Sequence, residues 1–328
     1  MADPIFKINK LCKSYSGKTV LKNIDLEIMP GEIIGIIGAS GSGKTTLLNT
    51  MIGFVRPDSG DVQFRLNHLL TFKDNCIYRS VYEKVETAKK VYGFASQIPS
   101  VYEELTVKEN LEYFGILHNL STDAIKANTD TLLSLMNLQY ATNIQAKNLS
   151  GGMKRRLDIA CSLMHDPEVL ILDEPTSDLD PINRIDIWSL IKKINKKGTT
   201  IILSSHHLNE LETLCDRIAI LKDSQFAAVD KTENLKKMFV KKQEIIFESE
   251  PGNYKKIMRS MPKKYSDRFK IFENESRIGT DDNSETIKDL LSAIKDNEEK
   301  ILSINVVKPS LDDVFLSILE HKEREDVE

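Results

Sequence analysis

The sequence predicts an α/β protein, with a mostly parallel β-sheet covered by helices and a small α+β domain after it. Two observations predict the larger part. Short, continuous apolar runs recur along the chain, and helical patterns separate them, which is typical of strands buried on both faces of a parallel sheet. A third observation, a change in composition near Asp230, indicates a boundary. We therefore place one domain at residues 1–228 and a smaller domain at residues 229–328.

Two kinds of pattern predict the strands of the larger domain. Residues 5–28 alternate apolar and polar side chains, as half-exposed antiparallel strands do. The continuous apolar runs that predict buried strands are "IIGIIG" at residues 33–38, "VLILD" at 169–173, "TTIILSSH" at 199–206 and "RIAILKDS" at 217–224. Residues 106–136 have a mainly helical pattern, whereas residues 66–91 are polar without a clear buried face and are interpreted as a surface insertion.

The smaller domain mixes strand and helix patterns. Its strand patterns include "QEIIFES" and "ILSINVVKP", and its helical patterns include "NYKKIMRSM" and "TIKDLLSAIKD". The chain closes with a further helical pattern, "LDDVFLSILEH", and a charged tail that we interpret as a solvated end. Because both pattern types are short and interspersed, we expect a compact α+β unit.

Composition and charge exclude several classes of protein. The net charge of −4 disfavours sequence-independent nucleic-acid binding, which depends on lysine and arginine contacts to phosphates. The four cysteines are far apart and form no CxxC pair, which argues against a disulfide framework or a zinc site and favours a reducing compartment. The longest apolar run, "EIIGIIGA", is well short of the roughly 20 residues that span a bilayer. We therefore expect a cytoplasmic protein that needs a partner to supply any membrane-spanning helices.

A phosphate-binding loop is predicted at residues 38–45, where "GASGSGKT" fits the pattern G-x-x-x-x-G-K-[ST] between a strand and a helix. Its glycines allow consecutive backbone N–H groups to turn towards an oxyanion, and the helix that follows directs its positive end at the same anion. Lys44 can reach the β- and γ-phosphates of a nucleotide, and the Thr45 hydroxyl can bind Mg²⁺. The residues predicted to bind ATP through this loop are Gly38, Ala39, Ser40, Gly41, Ser42, Gly43, Lys44, Thr45 and Thr46.

An acidic pair follows the buried-strand pattern "VLILD". Asp173 is predicted at the carboxyl end of that strand and can hold Mg²⁺, usually through water. The adjacent Glu174 can orient and deprotonate an attacking water molecule. Together with the phosphate loop, the pair predicts nucleotide hydrolysis.

Four motifs in order, "GASGSGKT", "LSGGMKRR", "VLILDEPTSDLD" and "LSSH", resemble those of the ATP-binding subunit of an ABC transporter. The resemblance covers about residues 5–225 and implies a P-loop NTPase fold with an antiparallel β subdomain and a helical subdomain at about residues 100–165. It also implies a head-to-tail homodimer in the ATP state, in which each "LSGG" segment completes the nucleotide site of the other copy. In this arrangement Ser150, Gly151 and Gly152 would contact the γ-phosphate held by Lys44 of the second copy.

The same resemblance implies roles for further residues, each in the neighbourhood of a matching motif. Tyr15 would stack on adenine, although a surface tyrosine on a strand is the alternative. Gln97 would contact Mg²⁺ and water, and His206, rather than the adjacent His207, would hydrogen-bond the γ-phosphate. Glu174, His206 and Gln97 form the candidate catalytic set, and Thr45, Gln97 and Asp173 form the candidate Mg²⁺ set. The loop that links the two sites would contain Asp178 and Asp180.

Two features of the sequence bear on its place within the family. Asp178 stands where the family usually has glycine, which adds a carboxylate near the expected dimer interface. The C-terminal "VVKPSLDDVFLSILE" resembles the tail of importer- and exporter-type subunits in which a small domain follows the ATPase, most of all the exporter type. We therefore expect a separate transmembrane permease as partner and favour export over import as the direction of transport.

Two other functions are considered. A soluble ABC-type ATPase acting on ribosomes or DNA would usually carry two ATPase domains or a long coiled coil, and the sequence shows neither. A nucleotide sensor without enzymatic activity would not need Lys44, Asp173, Glu174 and His206 together.

Overall fold

The computed structural model describes residues 3–66, 77–239, 243–272, 275–280, 282–307, 311, 314 and 315. These residues divide into two compact units, Met1–Lys231 and Thr232–Glu328. Most of the predicted final helix and all of the charged tail lie outside the described residues.

The first unit contains two β-sheets. Its described strands, in chain order, are β1 (Phe6–Tyr15), β2 (Lys18–Ile28), β3 (Ile33–Ile37), β4 (Ser59–Leu66), β5 (Ile77–Ser80), β6 (Tyr92–Ala95), β7 (Val169–Leu172), β8 (Thr200–Ser205), β9 (Arg217–Lys222) and β10 (Gln225–Asp230). One sheet is antiparallel and has the order β2-β1-β4-β5. The other has the order β10-β9-β3-β8-β7-β6 and is parallel from β9 to β6, with β10 antiparallel at its edge.

The helices of the first unit connect these strands. In chain order they are α1 (Lys44–Met51), α2 (Val85–Ala88), α3 (Val107–Leu117), α4 (Thr122–Leu135), α5 (Gly151–Ser162), α6 (Pro181–Asn195) and α7 (Leu208–Leu214). Side-chain caps fix where four of them begin. Thr106 forms a capping box with Glu109, and the side chains of Ser121, Ser150 and Asp180 each accept hydrogen bonds from the backbone of the first turn. The helical region predicted at about residues 100–165 therefore contains α3, α4 and α5.

Burial explains the parallel sheet. Every residue of β3, β7 and β8 is buried, as the continuous apolar runs predicted for strands covered on both faces. The alternating pattern of residues 5–28 corresponds to β1 and β2, which pair antiparallel and bury Phe6, Ile8, Leu21 and Ile24 in the core. The predicted α/β fold is confirmed.

The interpretation of residues 66–91 as a surface insertion is wrong in part. Residues 67–76 lie outside the described residues, but β5 pairs with β4 and extends the antiparallel sheet. Val81 and Ala88 are fully buried in the main core, and the Tyr82 hydroxyl donates a hydrogen bond to the Thr50 carbonyl. Only a few apolar side chains in this segment face the core, so hydrophobic periodicity did not reveal them.

The second unit is an antiparallel sheet with helices. Its described elements are α8 (Thr232–Phe239), β11 (Gln243–Glu250), α9 (Tyr254–Ser260), β12 (Phe269–Ile271), β13 (Ser276–Thr280), α10 (Asn283–Asp296) and β14 (Lys300–Val307), with the strand order β12-β13-β11-β14. Its separate core includes Ile245 and Phe247 from the sheet, Ile257 from α9 and Leu290 from α10. The predicted α+β character is confirmed. Within the described part of the chain, no helix combines the length and the apolar character needed to cross a membrane.

A stacked histidine pair lies in the first unit. The rings of His118 and His165 are parallel to within 8°, with their centroids 3.7 Å apart. His165 Nε2 lies 3.1 Å from the Tyr92 carbonyl oxygen, and its buried Nδ1 has no hydrogen-bond partner among the described residues. Burial, aided by the neighbouring His118, lowers the pKa of His165 to about 4. The folded protein therefore holds His165 neutral at mildly acidic pH.

This pair predicts a loss of stability on acidification. Unfolded His165 binds a proton near pH 6.5, whereas the folded form binds one only near pH 4, so the free energy of unfolding falls as the pH drops between these values. Urea unfolding at pH 7.5 and pH 5.0 measures the effect. We expect His165→Gln to reduce the loss by about 2 kcal/mol, which corresponds to the 1.5 pH units between 6.5 and 5.0. Equal losses in the variant and the wild type would contradict this assignment.

Candidate functional site

A cleft of about 630 Å³ opens where several strands of the parallel sheet end. Its lining comes from the loop after β3, from the ends of β6, β7 and β8, and from β2. The lining residues are Val20, Ser40, Gly41, Gly43, Lys44, Thr45, Thr46, Gln97, Glu174 and His206. Because β3, β8 and β7 are adjacent and parallel, the segments that follow them meet at one edge of the sheet.

The loop after β3 has a backbone that only glycine accommodates at Gly43. This residue has φ of +107°, and a Cβ atom there would lie 2.9 Å from both the side chain and the carbonyl oxygen of Val20. The loop therefore packs tightly against β2 and enters α1 at Lys44. A glycine-rich loop leading into a helix N-terminus is a binding site for anions such as phosphate.

The ammonium group of Lys44 is enclosed by this loop. Its Nζ atom donates hydrogen bonds to the carbonyls of Gly38, at 2.9 Å, and Ala39, at 3.4 Å. It also lies 3.7 Å from Glu174 Oε1, and the lysine is only 7% exposed. A buried cation with a carboxylate as its counter-ion can bind an oxyanion that enters the cleft.

Ser204 on β8 fixes the two acidic residues that follow β7. Its hydroxyl donates to Asp173 Oδ1 at 2.5 Å and accepts a hydrogen bond from the Glu174 backbone N–H at 2.9 Å. Asp173 is 2% exposed and is not a lining residue of the cleft, whereas Glu174 lines it. Glu174 has φ of +48°, a conformation that costs free energy for a residue with a side chain and that often occurs at functional sites.

His206 contacts Glu174, the second residue of the acidic pair. Its Nδ1 atom lies 2.5 Å from Glu174 Oε2, so the Glu174 carboxylate contacts Lys44 through one oxygen and His206 through the other. The adjacent His207 does not line the cleft, and its backbone N–H donates to Ser205 Oγ. The His206 side chain is 53% exposed, which leaves it accessible to a bound ligand.

Other residues of the predicted set lie in or near the cleft. Gln97, in the segment after β6, lines it, as do Ser40, Gly41, Thr45 and Thr46. Gly38, Ala39 and Ser42 belong to the loop but are not lining residues. Tyr15 lies half-exposed at the end of β1, with Lys13 Nζ 5.3 Å from its ring centroid, and does not line the cleft.

The "LSGG" segment lies outside this cleft, and two of its four residues are exposed. Ser150 and Gly151 are exposed, and Ser150 Oγ accepts a hydrogen bond from the Met153 N–H at the N-terminus of α5. Gly152 is buried against α6, where a Cβ atom would lie 2.2 Å from Asn183 Oδ1. Ser150 and Gly151 thus present a helix N-terminus that can contact a group from outside this chain.

The predicted dimer loop is held by its own local contacts. Asp178 has φ of +60°, a left-handed conformation that glycine adopts easily and that aspartate tolerates better than most residues. This backbone explains physically why glycine suits the position. Asp180 caps α6, since its Oδ1 accepts hydrogen bonds from the backbones of Ile182 and Asn183 at 3.0 Å. Hydrogen bonds from the backbone and side chain of Asn183 lower the pKa of Asp180.

Two residues near the site were missed by the sequence analysis. Ser204 lies inside the quoted "LSSH" motif, but nothing in the motif indicates that its hydroxyl joins Asp173 to Glu174. Arg155 lies inside the quoted "LSGGMKRR" motif without a predicted role, yet its guanidinium is buried and contacts the segments around Gln97 and Glu174. A signal did exist, because Arg155 and Asp158 occupy an i, i+3 pair within the apolar pattern of α5.

Comparison with known families gives two matches. Residues 21–177 match the family described as ABC transporter, and residues 231–319 match the C-terminal domain of the DrrA1-3-like ATP-binding proteins. Among curated relatives, the daunorubicin resistance ATP-binding protein DrrA3 of Streptomyces coeruleorubidus is 34% identical over 236 residues, which cover 72% of this chain and 71% of the relative. The Nod factor export ATP-binding protein I of Rhizobium etli is 30% identical over 307 residues, which cover 93% and 90%, respectively.

Solved structures resemble the first unit. The cbiO1 protein from Clostridium perfringens, part of the ABC transporter complex cbiONQ, has a TM-score of 0.62 and 28% identity over 71% of this chain and 90% of its own. A dimeric structure of the ATP-binding cassette MJ0796 in a post-hydrolysis state with ADP and phosphate has a TM-score of 0.59 and 29% identity, covering 69% and 98%.

The contact between Gly152 and α6 generates a stability prediction. Gly152→Ala would push the Asn183 side chain away and disturb its hydrogen bond to Asp180 Oδ2. Gly151→Ala is the matched control, because its nearest new contact, at 3.9 Å, is ordinary packing. Since alanine favours a helix by about 1 kcal/mol over glycine, Gly151→Ala should be neutral or stabilising. We expect thermal unfolding to show a lower midpoint for Gly152→Ala than for the wild type, but not for Gly151→Ala. Equal midpoints for Gly152→Ala and the wild type would contradict the tight contact.

Proposed function

The chain belongs to the ABC transporter ATP-binding proteins, an ATPase family, and from this premise we propose that its ATP hydrolysis powers export through a separate transmembrane permease. The single observation that carries the proposal is the arrangement of the cleft. One cleft is lined by the glycine loop with the buried Lys44, by the Glu174 carboxylate beside it and by the exposed imidazole of His206. This set contains an anion cradle, a general base and a polar group for the terminal phosphate.

The loop residues are proposed to bind the triphosphate. The backbone N–H groups of residues 40–45 and the N-terminus of α1 would face the β- and γ-phosphates. Lys44 would exchange its contacts with the Gly38 and Ala39 carbonyls for phosphate oxygens, which also moves its charge away from Glu174. Tyr15, at the end of β1, is proposed to contact the adenine ring.

Glu174 is proposed to act as the general base. Released from Lys44, its carboxylate can accept a proton from the water molecule that attacks the γ-phosphate. His206, which contacts the same carboxylate, would orient it and hydrogen-bond the γ-phosphate. Gln97, in the segment after β6, would contact the attacking water.

The residues around the cleft also suit Mg²⁺. Thr45 offers a hydroxyl oxygen, Gln97 an amide oxygen and Asp173 a carboxylate, which are the hard oxygen donors that Mg²⁺ prefers. Thr45 and Gln97 line the cleft, and Asp173 is anchored next to Glu174 by Ser204. We propose that these three residues hold the ion, which would neutralise charge on the β- and γ-phosphates when bound.

A second copy of the chain is proposed to complete the site. Ser150 and Gly151 are exposed and do not line their own cleft, so their hydroxyl and N–H groups are free to cap the γ-phosphate bound by another copy. The loop with Asp178 and Asp180 is proposed to lie at the same interface. Closure would then depend on the γ-phosphate, and hydrolysis would allow the two copies to separate.

Export is proposed from the names of the relatives. The matched proteins include ATP-binding proteins for daunorubicin resistance, linearmycin resistance and Nod factor export. We propose that the chain works at the cytoplasmic face of a membrane, with the domain at residues 229–328 as an accessory domain. The alternative, an ATPase acting on ribosomes or DNA, gains no support from these relatives or from the net charge of −4.

Glu174→Gln tests the general base. The amide keeps the size and the buried position of the side chain but cannot accept the proton, so we expect intact ATP binding and a loss of phosphate release of at least about 100-fold. Gel filtration with ATP should show an accumulated dimer. The matched control is Glu112→Gln on α3, where the carboxylate pairs only with Lys108 among the described residues. Wild-type turnover in Glu174→Gln would remove the assignment.

Mixing two inactive variants tests the shared site. Lys44→Ala removes the phosphate cradle and Ser150→Ala removes the cap. A hybrid dimer keeps one complete site, and random mixing makes half of the dimers hybrid, so the mixture should reach about a quarter of the wild-type rate. The control mixes Lys44→Ala with a chain that carries both changes, which leaves no complete site. If the first mixture stays as inactive as the control, each chain works with its own "LSGG" segment.

A further inference from the structure

The guanidinium of Arg155, on α5, joins three segments of the first unit. Its Nε donates to the Pro175 carbonyl at 2.9 Å, and one terminal nitrogen donates to the Asp173 carbonyl at 3.0 Å. The other terminal nitrogen donates to the Ser96 carbonyl at 2.5 Å and to the Asp158 carboxylate at 3.2 Å. One side chain therefore holds four acceptors in fixed positions.

Three of these acceptors adjoin candidate catalytic residues. Ser96 directly precedes Gln97, while Asp173 and Pro175 stand on either side of Glu174. The carbonyls are backbone groups, so their contacts with Arg155 fix the course of the chain through the two segments. The planar fork of arginine can address several acceptors at set angles, which a lysine ammonium cannot do.

Asp158 supplies the counter-charge and a further link. It lies three residues along α5, and both side chains of the pair are 4% exposed. Its Oδ1 accepts a hydrogen bond from the Ser100 N–H at 2.8 Å, which ties the segment after Gln97 to the same helix. Burying a guanidinium costs free energy unless such a partner is present. Apolar side chains could fill the same space in the core without this cost, so packing alone does not explain the pair.

The position of Arg155 along α5 also relates it to Ser150. Arg155 is five positions after Ser150, the N-cap residue, a rise of about 7.5 Å along one helix. A displacement of the exposed end of α5 would therefore also displace the guanidinium that contacts the Gln97 and Glu174 segments.

We propose that Arg155 is a positioning residue for ATP hydrolysis, which fixes Gln97 and Glu174 relative to each other and to the Ser150 end of α5, with Asp158 as its buried counter-ion. The inference rests on the proposed function of the cleft. None of the contacts of the Arg155 guanidinium is with the phosphate loop, residues 38–45. Arg155 therefore acts on the catalytic step rather than on ATP binding.

The test separates this role from a general role in stability. Arg155→Lys keeps the charge but not the fork, and we expect kcat for phosphate release to fall by about tenfold to 100-fold, while the Kd for ATP changes by less than about twofold. The matched control is Arg156→Lys, since the Arg156 side chain donates hydrogen bonds only to the Gly152 and Met136 carbonyls within the described part of the chain, each at 3.4 Å. This variant should keep the wild-type kcat.

A second variant covers the case in which the single change prevents folding. Arg155→Met with Asp158→Leu removes both buried charges, which should preserve folding while leaving the three carbonyls without their donor. We expect a stable protein that binds ATP but hydrolyses it slowly. A folded double variant with wild-type kcat would overturn the positioning role, as would a parallel loss of kcat and ATP affinity in Arg155→Lys. If the wild type bound or hydrolysed no ATP, the proposed function itself would fail, which is a different outcome.

Discussion

The parallel pairing of β3, β8 and β7 is the constraint on which the site depends. The three strands are buried along their whole length, and their register sets Ile37 beside Ser205 and Leu172 beside Leu203. The phosphate loop, the acidic pair and His206 each follow one of these strands. Because both faces of these strands are packed, a register shift of one residue would move every side chain to the opposite, differently packed face. The core therefore fixes the relative positions of the charged groups. The chemistry of the cleft is thus anchored by residues that have no chemical role.

Charge balance is the physical argument for a second molecule at the proposed triphosphate site. Lys44 supplies the positive charge among the lining residues, and in the structure Glu174 and two loop carbonyls satisfy it. A triphosphate brings several negative charges next to the Glu174 carboxylate, which calls for further positive groups. Part of the compensation is available within the chain from the N-terminus of α1. The N-terminus of α5, which Ser150 caps, is a second source of partial positive charge, but it faces outwards from the chain that carries it.

Much of the fold followed from short apolar runs and their order, because strands buried on both faces leave a pattern in the chain itself. The candidate cleft could be predicted in part, because the motifs identify side chains that come directly after such strands. Contacts between segments that are far apart in the sequence could not be predicted. The hydroxyl of Ser204 that joins Asp173 to Glu174, and the fork of Arg155, depend on tertiary contacts that leave no periodic signal. The strand β5 was missed for a similar reason, since a short edge strand buries few side chains.

The central claim is that one triphosphate lies between Lys44 of one copy and Ser150 of another. The most direct measurement is an experimental structure of the Glu174→Gln protein with ATP and Mg²⁺. We expect a two-fold symmetric dimer in which the γ-phosphate contacts Lys44 of one copy and the hydroxyl of Ser150 of the other, at hydrogen-bond distance. A structure in which ATP is fully bound within a single chain, with Ser150 exposed to solvent, would contradict it.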